Sequence, residues 1–237
     1  MPYHLLLVFI FLTSASALSQ ADANTNTAAS NKLNRLILGI ELGELPVQGS
    51  FKPGINLGYQ LNNDHEIFIS YQIQDDISRN GESFNSRNTG IEGQVSSNEK
   101  VAHRAQLLGL WRGSWSPLYF TYGLVYNGKD SEYMHFQRRQ RQILNQQLNG
   151  PIAVSVVRKA GLSPAIGLGV SGLINNTYQV FAQWSGNIFQ QPADPSVVIH
   201  SAEMTAETKS YLTKRIKTNF NKKITNVYHV FSMGVRF

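Results

Sequence analysis

Two neighbouring pairs in this chain of 237 residues have the composition of a catalytic couple, and neither has the setting for it. His200 and Ser201 would supply a base and a hydroxyl, but nucleophilic catalysis needs the two within hydrogen-bond reach, and here they are adjacent rather than spaced, in a stretch read as a loop. Asp75 and Asp76 could activate a water, yet no partner Asp-His pair is visible on the same rim. The chain has no cysteine, which removes thiol chemistry, disulfides and Cys-type zinc sites. His135 falls in a loop, and His103 and His229 fall near strand ends as surface or interfacial residues. No metal-ligand spacing is found, so no catalytic residue, cofactor or metal is expected. What the side chains can do is bind anions. Arg138, Arg139 and Arg141 form one basic stretch, and Lys209, Lys214, Arg215 and Lys217, with Lys222 and Lys223 behind them, form another. Such groups hold phosphate through charge-assisted hydrogen bonds, often bidentate for arginine. The net charge of +6 raises nucleic acid as a partner, but the cations are neither spread along a binding helix nor interleaved with aromatics, so none is expected.

The elements that must position these groups are strands. Apolar residues recur at every second position in eight segments: Leu36 to Gly43, Gly54 to Leu61, Glu66 to Gln74, Val101 to Arg112, Leu118 to Asn127, Lys159 to Ile174, Tyr178 to Ser185, and a last one ending on Phe237. The fourth carries leucine on both faces. Connections alternate in length. Residues 62–65, 113–117 and 175–177 are tight turns rich in Asn, Asp, Gly and Ser, whereas Glu44 to Pro53, Asp75 to Lys100, Gly128 to Arg158 and Gly186 to Ile224 run from moderate to very long. Within the longest, Ser201 to Ile216 has an acidic start and a basic end, which suits a short helix.

No apolar run is long enough for a membrane helix, which needs roughly 18 residues or more. Leu5 to Leu12 followed by small residues reads as a secretory signal, residues 1–23, cleaved after Ala17 or Ala23. A polar leader over 24–32 precedes the strands, which occupy 33–237. At the far end Phe231, Met233, Val235 and Phe237 alternate to a terminal aromatic.

Over Leu33 to Phe237 this organisation resembles the small eight-stranded outer-membrane barrels of the OmpA membrane-domain and OmpX type. The resemblance is of architecture, without a motif that selects one family. It implies an all-β, antiparallel up-and-down transmembrane barrel with short periplasmic turns and long extracellular loops. It implies export to the outer membrane of a Gram-negative cell, with the terminal strand as the signal to the barrel-assembly machinery. A soluble lipocalin-like carrier has the same strand period with its greasy face turned inward. The face opposite the greasy one is largely Gly, Ser, Gln and Asn, which favours the lipid-facing assignment. Parity then sends Glu41, Glu66, Arg104, Arg112 and Arg236 into the lumen. Glu66, Arg112 and Arg236 are expected as an ion-pair cluster at the periplasmic end, with Glu41 and Arg104 pairing across the outer half. Lipid A-modifying enzymes are known among such barrels, but the His-x-Ser arrangement of the deacylases is absent. The expectation is a non-enzymatic monomer, envelope-stabilising or surface-binding, meeting membrane lipid and lipopolysaccharide through its basic loops.

Overall fold

The computed structural model describes residues 35–43, 52–93, 95–113, 117–175, 177–187, 194–222 and 227–236. The signal segment, the polar leader and Phe237 lie outside the described residues. Eight antiparallel strands close a barrel: β1 (Leu36–Gly43), β2 (Lys52–Gln60), β3 (His65–Gln72), β6 (Arg104–Trp111), β7 (Leu118–Asn127), β12 (Gly161–Ile174), β13 (Tyr178–Asn187) and β15 (Val227–Arg236). Each pairs with the barrel strands before and after it in sequence, and β15 closes the ring on β1, with Leu38 opposite Val235. Alternation decides the faces. Leu38, Ile40, Ile55, Leu57, Ile69, Leu107, Leu124, Leu168 and Met233 stand exposed on the outside, a belt that only lipid can cover without cost. Between them Glu41, Asn56, Gln60, Glu66, Gln72, Arg104, Thr121 and Gln179 are buried in the lumen.

Three of the four long connections hold further elements. They hold β4 (Asp75–Asn80), α1 (Phe84–Thr89), β5 (Val95–Val101), β8 (Asp130–Phe136), β9 (Arg141–Ile143), β10 (Gln146–Leu148), β11 (Ile152–Arg158), β14 (Ser196–His200) and α2 (Ala206–Lys222). Five of these strands form a second sheet in the order β14-β11-β8-β5-β4, and β9 and β10 form a hairpin. This sheet prolongs the barrel wall. The pairing of Gln72 with Arg104 steps on to Asp75 with Val101, and that of Asn127 with Gly161 steps on to Asp130 with Arg158, so register is kept across a two-residue break in each strand.

Apolar parity also runs through the break, while its covering changes. In β7 the even residues Tyr122, Leu124 and Tyr126 face outward and exposed; in β8 the even residues Met134 and Phe136 are buried. In β12 Leu162, Ile166 and Leu168 are exposed, and in β11 Ile152, Val154 and Val156 are buried. Below the break the greasy face meets lipid. Above it the same face is covered by protein: Leu212 and Ile216 of α2, Ile143 and Leu148 of the hairpin, Ile91 and Met204. Helix α2 therefore needs a buried face, and Leu212 and Ile216 supply its apolar side chains, with the bonded hydroxyl of Thr208 one turn before them. It starts later than the sequence indicates because Thr205 caps it, accepting from the Thr208 amide at 3.2 Å, and the preceding residues are spent on anchoring.

Candidate functional site

The lumen is built in layers. Next to the short turns, the Glu66 carboxylate, 1 % exposed, receives Arg112 Nη2 and Arg236 Nη2, each at 2.7 Å. Gln179 Nε2 donates to the same carboxylate at 3.2 Å. Arg236 gives its other donors to Gln179 and Gln60, and Arg112 donates to Ser171 Oγ. Arg112 and Arg236, two of the three arginines that parity sends inward, are thus brought together on one acid.

Above this cluster lies an apolar layer. Phe68 and Phe181 meet edge to face with centroids 5.0 Å apart, Tyr119 meets Phe181 at 6.1 Å, and Leu108, Leu110, Val125 and Ile37 fill the remaining space. The leucines on both faces of the fourth segment belong here: Leu107 faces lipid, Leu108 and Leu110 the plug. Two glycines make room. Gly58 lies opposite Phe68 and Gly169 opposite Tyr119, and a Cβ at either would enter the facing ring. The lumen-facing parity, largely Gly, Ser, Gln and Asn, thus also carries the aromatic and leucine side chains that gather into this layer.

A polar layer follows. Glu41 and Arg104 share Gln72, which donates to Glu41 at 2.9 Å and accepts from Arg104 at 3.2 Å. Asn56 donates to Glu41 and Ser232, and Lys52 donates to the Ala102 carbonyl. A cavity of about 40 Å³ lies between this layer and the plug. That is room for two or three waters, on the order of 15 Å³ each. Asn56 Oδ1 and Gln106 Nε2 border it without a protein partner.

Just above the barrel, a second charge cluster ties strands of the upper sheet to one another. Glu99 takes Arg79 at 2.6 Å and Arg158 at 3.9 Å, and Arg158 reaches Asp130 at 3.6 Å. Register places Glu99 directly opposite Glu132, which is buried and accepts from Ser83 Oγ and Asn85 Nδ2 at the start of α1. Burial, then the facing Glu132, raises the Glu99 pKa above its ordinary value, against the pull of Arg79 and Arg158. A raised carboxyl pKa means the folded form holds the proton more tightly than the unfolded chain. Glu99 therefore contributes most at low pH, and that contribution is lost as pH rises from the usual carboxylate range through its raised folded value. Proteolysis of the upper domain at pH 4 and pH 7 tests this. Wild type is expected to gain on Glu99→Gln as pH falls, and equal slopes for the two proteins would refute it.

The basic residues divide. Arg138 and Arg139 are exposed in the β8–β9 connection, and Lys214 and Arg215 on α2. Lys209 and Lys217 are half-buried, Lys217 pairing with Asp194 at 2.7 Å. Arg141 must be taken off the anion-contact surface. It is 7 % exposed, and its guanidinium donates to the carbonyls of Glu92, Gln137, Arg139 and Gly150, so its donors are used in holding the hairpin. Glu203 secures the other side, accepting from the Asn149 and Gly150 amides, which hold its carboxyl below the usual range.

Neither His135 nor His200, both exposed, hydrogen-bonds a serine or threonine hydroxyl among the described residues. Asp76 is exposed on β4 opposite Lys100. No group of three or more His, Asp or Glu side chains is placed to hold a metal among the described residues. In β15, Met233 is exposed on the lipid face and Val235 is half-buried opposite Leu38 and Tyr178, while the Phe231 side chain lies outside the described set.

No protein-family description and no curated protein matches the chain. Solved structures do. CarO of Acinetobacter baumannii is 17 % identical, covering 88 % of this chain and 99 % of its own, with a TM-score of 0.55. A major outer membrane protein of Thermus thermophilus is 11 % identical over 85 % of this chain and 99 % of its own at a TM-score of 0.40. The attachment invasion locus protein Ail of Yersinia pestis is 13 % identical over 86 % and 97 % at 0.35. The closed eight-stranded barrel, with an apolar belt outside and paired charges within, has the form of a membrane-spanning β-barrel and shares the fold of CarO over 88 % of this chain.

Proposed function

We propose that the protein acts without catalysis, as an envelope-stabilising and surface-binding barrel that holds anionic groups on its upper domain, the phosphates of lipopolysaccharide first. One observation carries this reading. Arg138, Arg139, Lys214 and Arg215 are exposed and in no ion pair among the described residues, and the segments that bear them are fastened to a folded core. Gln146 donates to the Glu203 carbonyl and accepts from the Thr205 amide, which ties the start of α2 to the hairpin. Cations on a rigid support lose less entropy on binding than cations on a free loop. The plugged lumen supports a role outside the barrel rather than through it. Insertion by the barrel-assembly machinery and action as a monomer belong to the same reading.

The test is the affinity of the protein in phospholipid nanodiscs for lipopolysaccharide. A variant with alanine at Arg138, Arg139, Lys214 and Arg215 is expected to bind roughly a thousandfold more weakly, since each cation near an anionic surface contributes about 1 kcal/mol. The difference is expected to shrink as salt is raised. Equal affinities would sink the proposal.

A further inference from the structure

The upper sheet has a second face that the anion-binding reading does not use. Since register and apolar parity both persist across the break, the exposed face of this sheet is the one that carries on the lumen-facing side of the barrel wall. Pairing sets its rows. Ser78, Asn98, Tyr133, Ser155 and Val198 lie side by side across all five strands. Exposed sheet faces ordinarily carry charges of both signs. On this one the charged side chains are Asp76 and Lys100, and they stand opposite one another. The rest are mainly Ser and Asn, with the histidines of β8 and β14 at the far row.

Tyr133 is at the centre of the middle row and 44 % exposed. Ser78 Oγ donates to Asn98 Oδ1 at 2.9 Å, which leaves the Asn98 amide donors free to point away from the sheet. A tyrosine ring beside short hydroxyl and amide groups is a rigid apolar plate with adaptable hydrogen bonding around it. A protein partner would draw on apolar anchors, and Val198 and Val157 are small ones. An anion would find the charge of Lys100 balanced by Asp76.

We propose that this face docks a neutral saccharide, with a sugar ring stacked on Tyr133 and its hydroxyls bonded by Asn98 and Ser155. The surface is separate from the cations of α2 and does not depend on the anion-binding reading.

The experiment uses the whole protein in phospholipid nanodiscs, because glucoside detergents would themselves compete for such a face. The probe is a panel of neutral oligosaccharides of glucose, galactose and N-acetylglucosamine, with a heparin oligosaccharide as the anionic comparison. At least one neutral oligosaccharide is expected to bind, and Tyr133→Ala to weaken it by about tenfold or more. Asn98→Leu is expected to weaken it as well. Tyr211→Ala removes a ring of similar exposure, 42 %, on α2 and is expected to change nothing. All variants are checked for the heat-dependent gel shift of a closed barrel, and these side chains are exposed, so folding is not at stake. Failure of every neutral oligosaccharide, binding of heparin alone, or equal loss in Tyr133→Ala and Tyr211→Ala would each overturn the proposal. Absence of heparin binding by the wild-type protein, with neutral binding present, would count against the anion-binding reading alone.

Discussion

Glu66→Gln is expected to lower the unfolding free energy of the barrel by about 3–5 kcal/mol, the cost of removing one partner from a buried ion pair. Here one acid serves two guanidinium groups, so the variant leaves Arg112 and Arg236 facing each other with no counter-charge between them. Their remaining acceptors are neutral: Ser171 for Arg112, Gln60 and Gln179 for Arg236. Arg112 also lies 5.6 Å from the centre of the Tyr119 ring, so its displacement would disturb the apolar layer above. The measurement is urea unfolding in phospholipid, followed by gel mobility with and without heating. A triple variant with Leu at 66 and Met at 112 and 236 separates the loss of pairing from the loss of volume. Replacing a whole buried ionic group by apolar residues is often neutral or stabilising by about 1–4 kcal/mol. It is therefore expected to recover most of the stability that Glu66→Gln loses. A loss below about 1 kcal/mol in Glu66→Gln would show that the two arginines are solvated and that the cluster is not a cross-link.

The barrel is legible in the sequence because one physical constraint, lipid on one side and a narrow polar lumen on the other, imposes period two on every strand. Leu36–Gly43 and Leu118–Asn127 have the limits that alternation alone indicates. The inward charges follow from parity in the same way. The upper domain is less legible. Ile152, Val154 and Val156, and Val197 and Ile199, alternate as clearly as any barrel segment, but β4 and β5 are mostly Ser, Asn and charged residues whose burial comes from α1 and the neighbouring strands. Arg141 shows the same limit at one residue. Its sequence neighbours mark it as an exposed cation, and only the folded hairpin brings four carbonyls around it. Phe68, Tyr119 and Phe181 are visible exceptions on the polar parity, and their convergence in one layer depends on strand stagger, which composition does not reveal.

That layer carries the second large effect. Phe181 touches both other rings, Phe68 at 5.0 Å and Tyr119 at 6.1 Å between centroids. Truncating it removes the contact that closes the lumen between the cavity above and the ion cluster below. Phe181→Ala is expected to cost about 3–5 kcal/mol, as for other buried phenylalanines, because a closed barrel cannot collapse onto the space left behind. It is also expected to let water pass. The wild-type protein in vesicles should conduct no ions, since the plug offers a permeating ion a single polar group, the Tyr119 hydroxyl, and desolvation of a charge is prohibitive with so little to replace its water. In Phe181→Ala the emptied space joins the polar cavity bordered by Asn56 and Gln106, and proton leakage across the vesicle should rise over wild type. Ion conductance should stay low while Glu66, Arg112 and Arg236 remain paired across the lower lumen. Unfolding and leakage must move together: lower stability with unchanged leakage would mean that the neighbouring Leu108 and Leu110 reseal the layer. Conductance in the wild-type protein would mean that the aromatic layer does not close the lumen at all.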